Sequence, residues 1–313
     1  MTHHTTRLKG KVAVITGAGR GIGAAEAVLF AQEGAKVVVN DLGGGGDGSG
    51  GASKSPADEV VAEIKKMGGE AVANYDSVAT AEGGERIIKT AIDAFGRLDI
   101  LVNNAGILRD RMIYNMSPEE WDIVIKVHLY GTFNCTKPAC AIFRQQKSGR
   151  IINTASESGL GNMGQANYSS AKEGIVGFTR TVARDMGRYG VTCNAVRPRA
   201  KSRLTISPEL VAAIERAKST GTAMPPGADV ILKLPEPSEM IALVAYLATD
   251  AAANINGCTF LISGDQVSLY QDPIPIRTIF KKGFWTLDDL MDIVPNTLAA
   301  GLVNPAPPAP PKQ

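Results

Sequence analysis

The bulk properties of this chain exclude several classes of protein. Its 313 residues are 44% hydrophobic and 20% charged, with a formal net charge of +2. This balance is typical of a globular protein that binds neither nucleic acid nor an anionic membrane surface. No apolar run approaches the ~20 residues that span a bilayer. The four cysteines are scattered without metal-binding spacing, which predicts no metal site and reduced thiols in the cytoplasm.

Short β-branched runs alternate with helical patterns along most of the chain. Strands are predicted at 11–17, 35–41, 70–76, 98–104, 149–155, 191–198 and 258–264. Nearly continuous Val/Ile runs are typical of strands buried on both faces, and helical crossovers make such a sheet parallel. We therefore predict an α/β fold, with one doubly wound domain over residues 1–268.

Three segments interrupt this alternation. The glycine-rich residues 43–55 have little to bury and predict a mobile surface loop. Residues 204–237 are predicted to cover a substrate, because loops beyond the carboxyl ends of strands determine specificity. Residues 269–313 form a C-terminal extension with some apolar content. It is predicted to pack on the body or on a partner before its proline-rich disordered end.

The turn between the first strand and the first helix has the sequence TGAGRGIG, residues 16–23. In this context Gly17 permits a tight turn, Gly21 lets the backbone approach a pyrophosphate, and Gly23 allows close helix packing. The N–H groups at the helix start face the phosphate charge. The motif therefore predicts a dinucleotide site, and the alternative is a structural turn without a ligand.

The end of the second strand indicates which dinucleotide binds. Asp41 follows Gly23 by eighteen positions, where a carboxylate can accept hydrogen bonds from the adenosine ribose. A carboxylate there repels a 2′-phosphate, which favours NAD over NADP. Arg20 is evidence in the other direction, since a cation in the glycine turn could meet a 2′-phosphate. We predict NAD.

Two further motifs complete a family pattern. NNAG at residues 103–106 and YSSAK at residues 168–172 occur in order after TGAGRGIG, and the chain thereby resembles the short-chain dehydrogenase/reductase family with its TGxxxGxG and YxxxK motifs. VVVNDLGG, NNAGILRDR and GQANYSSAK resemble more closely the (3R)-hydroxyacyl-CoA dehydrogenase part of peroxisomal multifunctional enzymes and its bacterial relatives.

The resemblance implies a Rossmann fold with a seven-stranded parallel sheet and a homodimer or homotetramer. It also implies NAD-dependent interconversion of a secondary alcohol and a ketone, on a hydrophobic substrate such as a 3-hydroxyacyl-CoA thioester or a steroid. The expected cofactor-binding residues are Gly17, Arg20, Gly21, Ile22, Gly23, Asp41, Asp76, Ser77, Asn103, Ala105, Gly106, Tyr168, Lys172 and Pro198. A catalytically weak, nucleotide-binding partner subunit is the alternative function.

Tyr168 and Lys172 stand four positions apart on a predicted helix, so their side chains share a face. A free tyrosine has a pKa near 10, and a neighbouring cation favours its phenolate. Tyr168 would then accept the hydroxyl proton of the substrate. Taken alone, the pair is more often an ordinary amphipathic helix pair, but its place after the fifth strand, in a chain with the other two motifs, favours catalysis.

The serine of the family's site is displaced in this chain. The family position, about thirteen residues before the tyrosine, falls on Ala155. Alignment on the strand end and on Gly159 makes Ser156 the counterpart, with one residue deleted from the following loop. Ser158 is the runner-up, with a turn-capping role as its alternative. We predict that the Ser156 hydroxyl bonds the substrate oxygen.

Two other positions depart from the family pattern. His128 in VHLYG replaces the asparagine of VNxxG, and it either takes part in a proton relay or is a satisfied structural histidine. The run VRPRAKSR after the sixth strand places four basic residues near the nicotinamide end. These cations either contact cofactor phosphates or a CoA moiety, or they are simply solvated.

Overall fold

The chain divides into two units, Met1–Tyr270 and Gln271–Gln313. The computed structural model describes residues 6–50, 53–201, 208–224, 228 and 233–306. The strands of the first unit are β1 (Val12–Thr16), β2 (Lys36–Asn40), β3 (Glu70–Asn74), β4 (Ile100–Asn103), β5 (Gly149–Thr154), β6 (Val191–Pro198), β7 (Thr259–Ser263) and β8 (Gln266–Leu269). Its helices are α1 (Gly21–Gln32), α2 (Ser55–Lys66), α3 (Ala81–Phe95), α4 (Pro118–Ile125), α5 (Gly131–Gln146), α6 (Ala166–Gly187), α7 (Pro208–Thr220) and α8 (Ala242–Leu247).

The strands form one sheet in the order β3-β2-β1-β4-β5-β6-β7-β8. Strands β1 to β7 pair in parallel, as predicted, and β8 pairs antiparallel with β7. The predicted doubly wound α/β class is confirmed, and β8 is one strand more than the predicted seven. The order reverses direction between β1 and β4, and ligands of open α/β sheets bind at such a reversal, beyond the carboxyl ends of the strands.

Helices cover both faces of the sheet, which explains the apolar character of the strands. Along β1, Ala13 and Ile15 pack in a cluster with Phe30 of α1. Val12 and Val14 of the same strand pack on the other face, where α3, α5 and α6 supply the partners. A strand buried on both sides needs apolar residues at every position.

A capping box and a π-helical turn define the ends of the helices α4 and α5. Ser117 accepts a hydrogen bond from the N–H of Glu120, whose side chain returns to the Ser117 backbone, so a capping box begins α4. A π-helical turn, Lys126–Tyr130, joins α4 to α5. Within the described residues no helix is long and apolar enough to cross a membrane.

The predicted substrate-covering segment, 204–237, lies partly outside the described residues, and α7 is its described helix. In the second unit, Thr286 and Asp289 form a capping box at the start of α9 (Leu287–Ile293). The Lys281 ammonium also pairs with the Asp289 carboxylate.

Candidate active site

The glycine turn after β1 brings two loops into close contact. Gly17 has φ +64°, and a Cβ there would lie 2.7 Å from Cα of Ala105. A Cβ on Gly23 would lie 2.4 Å from Nδ2 of Asn104. Only glycine fits at these two positions: a side chain at 17 would meet the backbone after β4, and one at 23 would meet the Asn104 amide and the carbonyl of Gly17. Gly21, with φ +58°, has no heavy atom of the described chain within 4 Å of its Cβ position.

The N-terminus of α1 is exposed at this turn. Its N-cap residue, Arg20, makes no side-chain cap bond to the described helix, and the first turn has no acidic residue. The first N–H groups of a helix need an acceptor, and its dipole favours an anion. The turn is therefore suited to a phosphate group. Arg20 is exposed beside it, and Ile22 is half-buried.

Asn104 ties the glycine turn to the segment after β4. Its Nδ2 donates to the carbonyls of Thr16 (3.0 Å) and Gly17 (3.1 Å). The Thr16 hydroxyl accepts from the N–H groups of Asn104 and Ala105. Sequence reasoning missed Asn104, although it is the second residue of the NNAG motif.

Asn103, the residue predicted from the sequence, holds the sheet instead. It is buried, and its Nδ2 donates to Thr136 Oγ1 (3.0 Å) and Asn153 Oδ1 (2.8 Å). Among the described residues its side chain lines neither of the two pockets that follow. Successive strand residues point to opposite faces, so adjacent asparagines have different surroundings.

The first pocket lies beyond the ends of β2 and β3. Its lining includes Gly17, Asp41, Asp76, Ser77, Val78, Ala105, Gly106 and Ile107. The Asp41 carboxylate accepts from the N–H of Gly19 (2.9 Å) and from the N–H of Gly43 (2.7 Å). These two bonds fix a carboxylate at the carboxyl end of β2.

Asp76 is fixed on the other side of this pocket. One of its carboxylate oxygens accepts from Asn74 Nδ2 (2.9 Å), and the other accepts from Arg86 Nε (2.7 Å). Its backbone carbonyl accepts from Asn40 Nδ2 (2.9 Å). The next residue, Ser77, caps the following turn. The pocket is thus bounded by side chains with defined orientations.

The glycine-rich loop forms a wall of the first pocket. Four of its glycines line the pocket: Gly44, Gly45, Gly48 and Gly50. The Leu108 N–H donates to the carbonyl of Gly46 (3.0 Å), and the Arg109 guanidinium lies 3.5 Å from the Asp47 carboxylate. At the base, the Ser53 N–H donates to the carbonyl of Leu42. The sequence predicts a mobile surface loop, whereas its described part contacts the segment after β4.

A second pocket contains the predicted catalytic residues. Its lining includes Ile22, Asn104, Gly106, Leu108, His128, Thr154, Ser156, Ser158, Gln165, Tyr168, Lys172 and Pro198. Gly106 lines both pockets. Residues far apart in the chain therefore meet at the carboxyl ends of β4, β5 and β6. This is the edge at which ligands of doubly wound sheets bind.

Tyr168 and Lys172 face each other on α6. The Lys172 Nζ donates to the carbonyl of Thr154 (2.5 Å) and lies 5.5 Å from the centroid of the Tyr168 ring. Burial raises the pKa of Tyr168 to about 12, and its hydrogen bond with Ser156 opposes that rise. Burial lowers the pKa of Lys172 to about 7. The folded chain by itself therefore keeps Tyr168 protonated at neutral pH.

Ser156 begins the turn that follows β5. Its backbone is extended, with φ −160° and ψ 154°, and its hydroxyl accepts from the N–H of Ser158 (3.2 Å). Ser158 also lines the pocket. Ala155, at the family's usual serine position, is packed in the core against Val176 and Ala195. Ala155 also lines the pocket but carries no hydroxyl, so Ser156 is the first residue after β5 that brings a hydroxyl to it.

His128 is buried on the π-helical turn. Its Nε2 lies 2.8 Å from the carbonyl of Ile107, and its ring packs edge-on against Tyr168 with centroids 5.0 Å apart. Burial lowers the pKa of His128 to about 3, so the imidazole is neutral at pH 7. Within the described chain, its Nδ1 and the Thr154 hydroxyl are buried polar atoms without hydrogen-bond partners.

The basic side chains near the end of β6 form ion pairs with different glutamates. Arg197 is buried and pairs with Glu173, while Lys201 pairs with Glu236 (2.9 Å). Arg199 pairs with Glu157. Arg203 lies outside the described residues. Neither of the two roles predicted for this run, cofactor contact or plain solvation, describes Arg197.

Comparison with known proteins identifies the family. The profile described as "short chain dehydrogenase" matches residues 11–203. The chain belongs to the short-chain dehydrogenase family. Dehydrogenases of this fold generally depend on a nicotinamide nucleotide. The α1 N-terminus has no side-chain cap, and the space next to Gly21 is open. Both features fit the phosphates of such a cofactor.

Several relatives of this dehydrogenase cover most of the chain. The hydroxyacyl-CoA dehydrogenase ChsB1 of Mycobacterium tuberculosis is 43% identical over 281 residues, which are 87% of this chain and 83% of that protein. A crystal structure of a short chain dehydrogenase from Mycobacterium avium has 40% identity and a TM-score of 0.78, and covers 97% of this chain and 98% of that one.

Another relative confirms the closer resemblance seen in the sequence. The peroxisomal hydratase-dehydrogenase-epimerase of Neurospora crassa is 47% identical over 263 residues, or 84% of this dehydrogenase. The aligned region is only 27% of the Neurospora protein. This dehydrogenase thus corresponds to one part of a larger enzyme.

Proposed function

We propose that this short-chain dehydrogenase uses NAD to interconvert a secondary alcohol and a ketone. The observation that supports this proposal is the meeting of Ser156, Tyr168 and Lys172 in one pocket beside the glycine turn. Such a set combines a proton acceptor, a cation and a hydrogen-bond donor for the substrate oxygen.

In this proposal Tyr168 accepts the hydroxyl proton during oxidation and returns it during reduction. When bound, the oxidised nicotinamide supplies a hydride acceptor and a positive charge. The buried Lys172, in its protonated form, adds a second positive charge and opposes the effect of burial on the Tyr168 pKa. Ser156 donates to the substrate oxygen and holds it next to the tyrosine hydroxyl.

The preference for NAD follows from Asp41. Its carboxylate is buried at the end of β2, with one oxygen bonded to the Gly19 N–H and the other to the Gly43 N–H. A 2′-phosphate brought to this pocket would meet a fixed negative charge. Arg20 is exposed at the start of α1, and we infer that it contributes to binding the pyrophosphate.

We infer that the substrate is a 3-hydroxyacyl-CoA thioester or a steroid-like alcohol. The supporting observation is the relationship to a hydroxyacyl-CoA dehydrogenase and to a peroxisomal hydratase-dehydrogenase-epimerase. The segment 204–237 is proposed to cover this substrate.

We also propose a homodimer or homotetramer in the cytoplasm. Tyr130 and Phe133, at the junction of the π-helical turn and α5, are 56% and 45% exposed, and aromatic side chains are enriched at protein interfaces. The four cysteines form no disulfide, which is ordinary in a reducing compartment.

The test is NAD⁺ reduction with a panel of 3-hydroxyacyl-CoA thioesters, hydroxysteroids and simple secondary alcohols. Wild type is compared with Tyr168→Phe and with Tyr246→Phe, which alters an exposed tyrosine outside both pockets. Turnover lost only in Tyr168→Phe supports the proposal. A wild-type protein that binds NADH but oxidises no alcohol in the panel would favour the partner-subunit alternative.

A further inference from the structure

The turn that presents Ser156 is held from behind by a buried arginine. The Arg197 side chain is 3% exposed, and its Nη1 donates to the carbonyl of Ser156 (2.6 Å). The same carbonyl accepts from the N–H of Gly159 (3.1 Å). The peptide that follows the serine is therefore fixed by one bond within the turn and one bond from β6.

Two further contacts immobilise the Arg197 guanidinium. Its Nη2 donates to Glu173 Oε2 (2.8 Å), and Glu173 directly follows Lys172 on α6. Its Cζ lies 4.9 Å from the centroid of the Tyr270 ring, a cation–π contact. Glu173 is 40% exposed, whereas Arg197 is buried, so removal of Glu173 would leave the buried guanidinium without its counter-charge.

The turn is shaped to admit this ion pair. A Cβ on Gly159 would lie 2.8 Å from Glu173 Oε2 and 3.2 Å from Arg197 Nη1. Any larger residue at position 159 would therefore push the pair away from the turn. Because Gly159 has no side chain, the Arg197–Glu173 ion pair packs directly against the backbone that follows Ser156.

The eighth strand completes the arrangement. Tyr270 follows β8, and its N–H donates to the carbonyl of Thr259 on β7 (2.9 Å). Its hydroxyl donates to Glu157 Oε1 (3.1 Å), and Glu157 also pairs with Arg199. The antiparallel hairpin thus places the Tyr270 ring over Arg197 and the Tyr270 hydroxyl on Glu157, the residue after Ser156.

We infer that Arg197, backed by Glu173 and Tyr270, is a positioning residue that sets the orientation of the Ser156 hydroxyl toward the substrate oxygen. The inference rests on the proposed role of Ser156. Arg197 is not among the described residues that line either pocket, and in this inference it acts through the serine backbone. The β7–β8 hairpin thereby supports the serine turn indirectly, because Tyr270, which follows β8, covers the guanidinium.

The kinetic test compares Arg197→Met, Arg197→Lys and Tyr270→Leu. Arg197→Met should lower kcat between about 10-fold and about 100-fold, since small displacements of a positioning group cost this much. KM for NAD should stay within about twofold, and Arg197→Lys should recover part of kcat. Tyr270→Leu changes a half-buried residue and should lower kcat in the same direction.

The matched control is Arg97→Met. Arg97 likewise forms an ion pair, with the buried Asp99 carboxylate (2.7 Å), but it lies just before β4, at the amino ends of the strands. Its loss should reduce stability and leave kcat unchanged. An equal fall in kcat in Arg97→Met and Arg197→Met would indicate general destabilisation and overturn the inference.

A double variant separates positioning from a merely structural role. In a Ser156→Ala background, Arg197→Met should cause no further loss of kcat, because its effect passes through the serine. Full multiplication of the two losses would overturn the inference. If Ser156→Ala and Tyr168→Phe retain wild-type turnover, the proposed function fails separately.

A crystal structure of Arg197→Met then decides the positioning role without any assay. A displaced Ser156 carbonyl and hydroxyl is the expected result. An unmoved serine turn would overturn the inference.

Discussion

A Cβ on Gly106 would lie 2.4 Å from Cε1 of His128. The last glycine of NNAG is thus required by the imidazole on the π-helical turn, and both residues line the second pocket. The departure from the family at position 128 and the glycine at position 106 form one packing unit. The effect of a substitution at either residue on stability should therefore depend on the residue at the other position.

Gly106→Ala is expected to destabilise the protein by about 1–3 kcal/mol, as overpacking typically does. The cost should be smaller in a His128→Asn background, because the shorter side chain leaves room for the methyl group. Urea unfolding of the two single variants and the double variant measures this coupling. Gly177→Ala on α6 is the control, since no described atom outside the local helix lies within 4 Å of its Cβ position. Equal costs in both backgrounds would contradict the packing argument.

Glu26 predicts an unusual dependence of stability on pH. This carboxyl on α1 is fully buried, and neither oxygen has a hydrogen-bond partner in the described chain. Burial raises its pKa from 4.5 to about 8. Its favourable contribution is fully present below about pH 4.5 and is lost as the pH rises through about 8.

Glu26→Gln should remove this dependence. Relative to the variant, wild type should lose up to about 4 kcal/mol of unfolding free energy between about pH 5 and about pH 8. Denaturant titrations at both pH values provide the measurement, and the exposed Glu63→Gln on α2 provides the control. Parallel pH profiles for wild type and Glu26→Gln would show that the carboxyl is solvated.

Asp41→Asn should shift the cofactor preference toward NADP. The substitution removes a fixed negative charge from the first pocket while keeping an oxygen that accepts from a backbone N–H. The ratio of kcat/KM for NADP to that for NAD should rise by about tenfold or more, equivalent to about 1.4 kcal/mol. Steady-state kinetics with both cofactors measures the ratio. An unchanged ratio would assign the selectivity to another residue.

Asp47→Asn tests the glycine-rich loop and serves as a companion to Asp41→Asn. The ion pair between Asp47 and Arg109 is half-exposed on both sides, so its loss should cost no more than about 1 kcal/mol. KM should rise by at most about fivefold for both cofactors, with no change in preference. A change in the NADP to NAD ratio would mean that the loop itself discriminates between the cofactors.

Features that depend on local residue patterns could be predicted from the sequence. Strands β1 to β7 are recognisable because Val and Ile runs such as those around Val38 must be buried on both faces. Asp41 was found because its distance from the glycine turn is set by one helix and one strand. Local motifs predict roles for Tyr168, Lys172 and Ser156, and the structure brings all three to one pocket.

The remaining features depend on contacts between distant segments. The residues of β8 are exposed or half-buried, so no apolar pattern distinguishes that strand from a loop. Arg197 reads as one cation of a basic run, because its partner Glu173 is 24 positions away. Contact between the glycine-rich loop and Leu108 is made through backbone atoms, which the residue types do not reveal.

The π-helical turn Lys126–Tyr130 also determines the angular phase of the helix that follows it. A π turn accommodates one more residue than an α turn, and each α-helical residue advances by about 100°. Deleting one residue here would restore a regular spiral and rotate every side chain of α5 by that angle relative to α4. The buried row on α5 that includes Cys135, Ala139 and Phe143 would then turn away from the sheet. The length of this short stretch is therefore as constrained as its composition.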